Sequence, residues 1–140
     1  MPEIYAPELT LTTAESQASN RWFFERERLR KFPSFQFVGS GGQITAAEGT
    51  LNTQFGNTYA IRVGLKNFPF KKPTVSPKDW SIHPNAPHKF NNDGTICIMR
   101  EDQWRGYFTV ALVVAKTAIW LNKYELWKRE NIWPGLGQSH

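Results

Sequence analysis

Hydrophobic and polar residues in the first part of the chain follow a helical pattern. Four hydrophobic residues recur at helical spacing: Ala14, Ala18, Trp22 and Leu29. This spacing places them on one face of a helix. The segment begins with a capping-box sequence, in which Thr12 is the N-cap and Glu15 reaches back to it. Because Pro33 cannot continue a helical hydrogen-bond ladder, we predict one helix that begins after Thr12 and ends at Pro33.

The second part alternates between hydrophobic and polar positions, as half-buried strands do. The alternation predicts strands at residues 35–38, 44–51 and 59–65, and a short fourth strand near Thr74-Val75. Turns are predicted at the glycine-rich residues 39–42 and at residues 55–58. Because such short connections join antiparallel neighbours, the pattern indicates a four-stranded antiparallel meander.

A long segment without clear periodicity follows at residues 67–104, and it is rich in proline. Irregular segments of this length inside a compact domain are usually functional. Helical spacing then returns from Val110 to Tyr124, where Asn122 can divide the pattern into two helices and Pro134-Gly135 ends it. The order of helix, antiparallel sheet, long loop and helices predicts an α+β fold. We find no repeat and no linker, so residues 1–140 are predicted to form a single domain.

Composition excludes several classes of protein. Hydrophobic residues make up 40% of the 140 residues and charged residues 21%, close to the globular average. The longest apolar run, residues 110–115, is too short to span a bilayer. The N-terminus has no basic stretch followed by an apolar core, so we expect no signal peptide and a cytoplasmic location. The single cysteine cannot form an internal disulfide, which agrees with a reducing compartment.

The basic charge of the chain has two interpretations. A net charge of +5 and a pI of about 9.5 describe either an ordinary solvated surface or a surface for an acidic partner. The sequence has no RNP-type aromatic motif, no zinc-finger spacing and no block of lysines and arginines. Nucleic-acid binding is therefore not favoured.

Cys97 is the candidate for covalent chemistry, because no other residue in the chain offers a comparable nucleophile. A lone cysteine between two isoleucines can also be a small buried hydrophobe. Asp93-Gly94 predicts a turn that presents the following residues at a surface. Polar side chains lie within the fifteen residues upstream: His83, Asn85, His88, Asn91 and Asn92.

Three interpretations of the histidines stay open at this stage. With Cys97 they can form a metal site, although neither a CxxC nor an HxxxH spacing supports one. They can activate Cys97 as in a cysteine protease, which also requires an orienting residue and an oxyanion hole. They can instead satisfy backbone groups of the proline-rich loop. We expect neither a resident metal nor a cofactor, and a small metal- or nucleic-acid-binding protein is the weakest hypothesis.

Four segments in the same order resemble the motifs of ubiquitin-conjugating enzymes over about residues 10–125. They are Phe68-Pro69-Phe70-Lys71-Lys72-Pro73, His83-Pro84-Asn85, Gly94-Thr95-Ile96-Cys97-Ile98 and the Trp104–Thr109 segment that leads into the second helix. The C-terminal half is similar to the stand-alone conjugating enzymes of bacterial antiphage operons of the CBASS type. That similarity rests on Pro87-His88, Asp93-Gly94-x-x-Cys97, Trp120-Leu121, Tyr124-Glu125-x-Trp127 and Trp133-x-Gly135 ending in His140.

The resemblance implies an acyltransferase that carries its cargo as a thioester on Cys97. In that family the cargo is a modifier with a C-terminal glycine, here a cyclic-oligonucleotide synthase, and a target nucleophile receives it. An activating enzyme and a target protein are the further partners implied. The alternative is a non-catalytic module that binds ubiquitin-like proteins with the same fold. Such relatives typically lack the cysteine, so the presence of Cys97 argues against that alternative.

The resemblance also suggests roles for individual residues. Asn85 is the first candidate to stabilise the oxyanion, and Asp102 or Glu101 to position or deprotonate the incoming amine. The helix arginines Arg26, Arg28 and Arg30, together with Phe68 and Pro69, are candidates for binding partners, and Trp104 is expected to pack against the loop.

One departure from the eukaryotic pattern bears on these roles. There the tripeptide histidine lies ten residues before the cysteine, whereas His83 lies fourteen and His88 nine residues before Cys97. Asn91 or Asn92 is therefore an alternative to Asn85 at the oxyanion. We expect a structural role for the histidine that occupies the family position.

Overall fold

A four-stranded antiparallel sheet lies at the centre of the computed structural model, which describes residues 7–89 and 94–135. The strands are β1 (Gln36–Ser40), β2 (Gln43–Asn52), β3 (Thr58–Gly64) and β4 (Thr74–Pro77), in that order across the sheet. The predicted meander and the α+β class are therefore confirmed. Gly41 and Gly42 make the turn between β1 and β2 with positive φ angles of 60° and 77°, which glycine adopts without a steric cost.

The N-terminal helical region is divided, so the prediction of one continuous helix was wrong. Helix α1 covers Thr13–Gln17 and helix α2 covers Arg21–Leu29, which ends before Pro33. The capping box is confirmed: Thr12 Oγ1 accepts from the Glu15 N–H at 3.1 Å, and Glu15 Oε1 accepts from the Thr12 N–H at 3.0 Å. Extended backbone at Ala18 ends α1. The second helix begins at Arg21, whose buried guanidinium bonds the main-chain oxygens of Gly106 and Phe108.

The long C-terminal helix α3 covers Val110–Glu130 without a break. Thr109 caps it, because its Oγ1 accepts from the Leu112 N–H at 3.0 Å. Asn122 does not divide the helix: its Nδ2 donates to the Ala118 oxygen and its Oδ1 accepts from the Gln54 N–H. The helix ends at Asn131, which adopts the left-handed conformation. The predicted end at Pro134-Gly135 therefore lies beyond the observed one.

The hydrophobic core lies between the sheet and α3. Its fully buried members include Ile61, Val63, Val75, Ile96, Met99, Leu112, Val113 and Leu121. Helix α2 joins this core through Glu25, whose side chain is 0% exposed and whose Oε1 accepts from the Val110 N–H at 2.9 Å. In the described ranges, no helix has the length and apolar character needed to cross a membrane.

Candidate active site

The segment around Cys97 is held between two other stretches of main chain. Ile96 pairs with Val75 of β4, donating its N–H to the Val75 oxygen at 2.8 Å, and it also pairs with Lys89. The Cys97 N–H donates to the His88 oxygen at 3.2 Å. Short antiparallel pairings on both sides therefore fix the backbone of the candidate nucleophile.

The isoleucines that flank Cys97 are buried, whereas Cys97 itself is half-buried. Alternate residues of an extended segment point to opposite sides, so burial of Ile96 and Ile98 turns the cysteine away from the core. Cys97 is therefore not the small core hydrophobe that its neighbours in sequence suggested. Its thiol is partly accessible to solvent.

Burial and nearby charges have opposing effects on the pKa of the Cys97 thiol. Burial raises the pKa of the Cys97 thiol, and the carboxylate of Glu101 acts in the same direction. The ammonium of Lys72 and a backbone hydrogen bond from Met99 lower that pKa. A thiol with such a balance is less ionised at neutral pH than a free cysteine.

Lys72 is a residue of this region that the sequence reasoning missed. Its side chain is only 3% exposed, and its Nζ lies 3.7 Å from Oε1 of Glu101. The preceding Lys71 is exposed. Nothing in the local pattern separates the two lysines, so only the fold distinguishes them.

His83 and Asn85 lie against α3. The His83 N–H donates to the Tyr124 hydroxyl at 2.8 Å, and its ring meets the Trp127 ring edge to face. The Asn85 N–H donates to His83 Nδ1 at 3.1 Å, and its side chain is exposed. Across the described ranges, no hydrogen bond joins Asn85 to Cys97. Its proposed alternatives Asn91 and Asn92 lie outside the described residues.

His88 connects the cysteine segment to α3 through its main-chain oxygen. This oxygen accepts from both the Cys97 N–H and the indole N–H of Trp120, the latter at 2.9 Å. The His88 ring packs on Trp133 with centroids 5.0 Å apart. Burial, and then the charge of Lys123, lower the pKa of His88.

The two acidic residues after the cysteine have different partners. The carboxylate of Glu101 faces Lys72 and acts on the Cys97 thiol. The carboxylate of Asp102 accepts from Arg100 Nε at 3.0 Å. Both carboxylates are 75% exposed, so either can meet an incoming amine.

The segment after β3 presents one aromatic ring to solvent and packs another. Phe68 contacts the rings of Trp22 and Trp104, and the guanidinium of Arg21 lies over its face. The Pro69 oxygen accepts from the Trp104 indole N–H at 2.8 Å, so Trp104 packs against the loop as predicted. Phe70, which the sequence reasoning did not single out, is 90% exposed.

The three candidate docking arginines differ in their surroundings. Arg28 binds Glu15 and the Thr10 oxygen, which holds α1 against α2. Arg26 and Arg30 line a groove of about 720 Å³ between α2 and the β1–β2 hairpin. Arg30 also pairs with Glu27 at 3.0 Å. The groove thus has two exposed arginines on one wall.

The histidines and Cys97 do not form a metal site in the part of the chain that the structure describes. Within residues 7–89 and 94–135, no group of three His, Cys, Asp or Glu side chains is placed to hold a metal ion.

A comparison with family models yields one match. The model described as E2-CBASS, Type II CBASS E2 protein, matches residues 25–140. The matched range contains β1 to β4, α3 and Cys97. No curated protein matches the chain.

Proposed function

Because the chain belongs to the E2-CBASS family of Type II CBASS E2 proteins, we propose that it carries a modifier as a thioester on Cys97 and transfers it to a target. Membership in this family implies conjugating-enzyme-like activity in the antiviral defence of bacteria. The observation that carries the proposal is the half-exposed cysteine, which paired main chain holds on both sides.

The first step is an exchange of thioesters. The Cys97 thiolate attacks the carbonyl carbon of the modifier's C-terminal glycine, which an activating enzyme presents as a thioester. A tetrahedral oxyanion forms, the upstream carbon–sulfur bond breaks, and the upstream thiolate leaves. Because the leaving group is already good, the reaction does not require a strongly activated cysteine. A thiol pKa raised by burial is compatible with this chemistry.

The second step transfers the modifier to its target. An amine or another nucleophile attacks the Cys97 thioester, the carbon–sulfur bond breaks, and Cys97 is released as a thiolate. The attacking amine loses a proton, for which Glu101 or Asp102 is the proposed acceptor, because both carboxylates are largely exposed. We propose that the modifier is a cyclic-oligonucleotide synthase of the same defence system.

Stabilisation of the oxyanion requires a hydrogen-bond donor near the reacting carbonyl. Such a donor contributes roughly 2.7–4 kcal/mol in other acyl-transfer enzymes. Asn85 stays the first candidate because of its place in the motif, and its side chain is exposed. Asn91 or Asn92 is the alternative. We propose that His83 and His88 support the loop, because their contacts are with α3, Trp133 and backbone.

Partner binding is proposed at two surfaces. Arg26 and Arg30 in the groove beside β1 provide positive charge for an acidic region of the activating enzyme. The second surface is the segment that follows β3. Phe68 and Pro69 contact Trp104 there, and Phe70 is exposed to solvent. Arg28 contributes indirectly, because it holds α1 in place.

The test is to combine the protein with a candidate synthase, an activating enzyme and ATP and to measure intact mass. The expected adduct is lost on treatment with a thiol reductant and is absent from Cys97→Ala. Cys97→Ser should instead form an oxygen ester that resists the reductant, which separates acyl transfer from disulfide formation. An adduct that persists in Cys97→Ala would refute the role of Cys97.

The alternative is a binding module with the same fold, in which the half-buried Cys97 thiol takes no part in chemistry. It predicts that the synthase binds without forming any adduct and that Cys97 resists alkylation. Binding is measured by calorimetry with the same proteins in the absence of ATP. Retained binding with no adduct under every partner combination would support the module.

A further inference from the structure

Two loop segments are tied together at both ends of the candidate active site. At one end Val75 pairs with Ile96, and at the other end the Pro69 oxygen accepts from the Trp104 indole. Residues 69–75 therefore run alongside residues 96–104 in the opposite direction. Lys72 lies in the middle of the first segment, while Cys97 and Glu101 belong to the second.

The side chain of Lys72 is enclosed between these segments. It is 3% exposed, and its ammonium faces the Glu101 carboxylate at 3.7 Å, whereas Glu101 is 75% exposed. An ammonium is strongly hydrated, so its burial is costly unless anionic or polar groups surround it. In the described part of the chain, Lys72 and Glu101 are the charged groups that act on the Cys97 sulfur.

We propose that the Lys72 ammonium is the electrostatic partner of Cys97 and stabilises the thiolate that forms at each transfer step. The catalytic part of this inference rests on the proposed function of Cys97. In the first step the Cys97 thiol must lose its proton before it attacks, and in the second step Cys97 departs as a thiolate, so its sulfur carries negative charge at both points. A fixed positive charge in a poorly solvated site stabilises that charge more than a solvated one does.

Glu101 acts on both Lys72 and Cys97. Its carboxylate lies 3.7 Å from the Lys72 ammonium, and an ammonium has no lone pair with which to attack the neighbouring thioester. The same carboxylate partly offsets the effect of Lys72 on the sulfur, because it raises the pKa of Cys97. Because Lys72 and Glu101 act on the Cys97 thiol in opposite directions, the two residues together keep its reactivity as a nucleophile moderate.

The test measures alkylation of Cys97 by iodoacetamide against pH, between about pH 7 and pH 11, by intact mass. Lys72→Met removes the charge and keeps most of the apolar stem. Its alkylation midpoint should move to higher pH, and a midpoint one pH unit higher means about tenfold less thiolate at neutral pH. Lys72→Arg keeps the positive charge and should keep the wild-type midpoint. If Lys72 were merely structural, restoring the charge with arginine would not be expected to restore the midpoint.

Two further variants control the experiment. Lys71→Met removes the same charge from the exposed neighbour and should leave the midpoint unchanged. Glu101→Gln should move the midpoint to lower pH, opposite to Lys72→Met. A folded Lys72→Met protein with the wild-type midpoint, or an equal change of midpoint in Lys71→Met, would overturn the inference.

A second measurement needs no variant of Lys72. In wild-type protein labelled with carbon-13 at the lysine Cε, the Lys72 resonance should show an inflection at the pH where Cys97 titrates. This inflection should vanish in Cys97→Ser, and its absence from the wild type would contradict the pairing. Neither readout uses partner proteins. A changed midpoint in Lys72→Met, together with the absence of a thioester adduct from the wild-type protein, would therefore refute the proposed function while leaving the Lys72–Cys97 pair intact.

Discussion

Trp120 donates its indole N–H to the main-chain oxygen of His88 at 2.9 Å, and the same oxygen accepts the N–H of Cys97. One carbonyl group therefore connects the long helix α3 to the segment that carries the candidate nucleophile. The Cys97 segment is also paired with β4 through Ile96 and Val75. The position of Cys97 thus depends on α3 as well as on β4.

Replacing Trp120 with phenylalanine should loosen the Cys97 segment. The variant removes one donor and keeps an aromatic ring, so we expect a loss of about 1 kcal/mol in unfolding free energy. The amide of Cys97 should exchange its hydrogen faster, and alkylation of the thiol should change in rate. Hydrogen exchange followed by mass spectrometry measures the first effect.

Trp80→Phe is the matched control for Trp120→Phe. The Trp80 indole donates to the Ala60 oxygen at 2.7 Å, at a site on β3. Its loss should cost a similar free energy without affecting Cys97. Equal exchange of the Cys97 amide in the two variants would mean that the bond to His88 has no special role.

The buried carboxylate of Glu25 is predicted to be essential for joining α2 to α3. Burial raises its pKa, while the Val110 N–H and Arg21 lower it. Glu25→Ala leaves the buried guanidinium of Arg21 without its carboxylate, which costs about 3–5 kcal/mol at comparable sites. Urea unfolding at pH 7 measures the change in unfolding free energy.

Glu27→Ala controls the removal of Glu25, since Glu27 also pairs with an arginine, Arg30 just after α2, but at the surface. Its expected effect is below about 1 kcal/mol. The double variant Arg21→Met/Glu25→Ala should recover part of the loss, because no charge is then left buried alone. Similar losses for Glu25→Ala and Glu27→Ala would contradict this account.

His88 is predicted to make the protein less stable in mild acid. Its folded pKa lies below the ordinary value because of burial and Lys123, so the unfolded chain binds a proton first as the pH falls. Stability is therefore fully present above about pH 7 and decreases as the pH falls through about 6.5.

The variant for this test is His88→Asn, because asparagine tolerates the positive φ of 58° at this position. Urea unfolding at pH 8 and pH 5.5 gives the change in free energy for each protein. The change should be smaller in His88→Asn than in the wild type. The difference in unfolding free energy between the two proteins at pH 8 measures the loss of ring packing. Parallel dependence of the unfolding free energy on pH in the two proteins would refute the prediction.

Charge reversal in the groove beside β1 should slow thioester loading. Arg26→Glu/Arg30→Glu replaces two exposed positive charges, so association with an acidic partner surface should weaken by more than tenfold at low salt. Added salt should narrow the difference from wild type. Initial rates of loading at several concentrations of activating enzyme measure this effect.

A double variant elsewhere tests whether position matters or only net charge. Lys128→Glu/Arg129→Glu makes the same charge change at the exposed end of α3. Loading by this control should stay close to the wild-type rate. Equal slowing by both double variants would exclude the groove as a specific docking surface.

Local patterns were sufficient to predict most of the secondary structure. The capping box at Thr12, the alternation in β1 to β3 and the periodicity of α3 all depend on residues a few positions apart. Cys97 could likewise be proposed from its motif and from its being the single cysteine. The roles of Asn85, Asp102 and the two histidines stay predictions.

Tertiary contacts decided the features that local patterns could not show. Extended backbone at Ala18 divides the N-terminal helix before Arg21, which binds main-chain oxygens more than eighty residues away, and Asn122 stays helical with a partner from the β2–β3 loop. Lys71 and Lys72 look alike in the sequence, yet the second is buried, with its ammonium facing Glu101, where Val75 pairs with Ile96. The sequence by itself determined the four strands, the helical character of both ends of the chain and the candidate nucleophile. The electrostatic surroundings of that nucleophile came from the fold, because burial and charge proximity depend on segments that are distant along the chain.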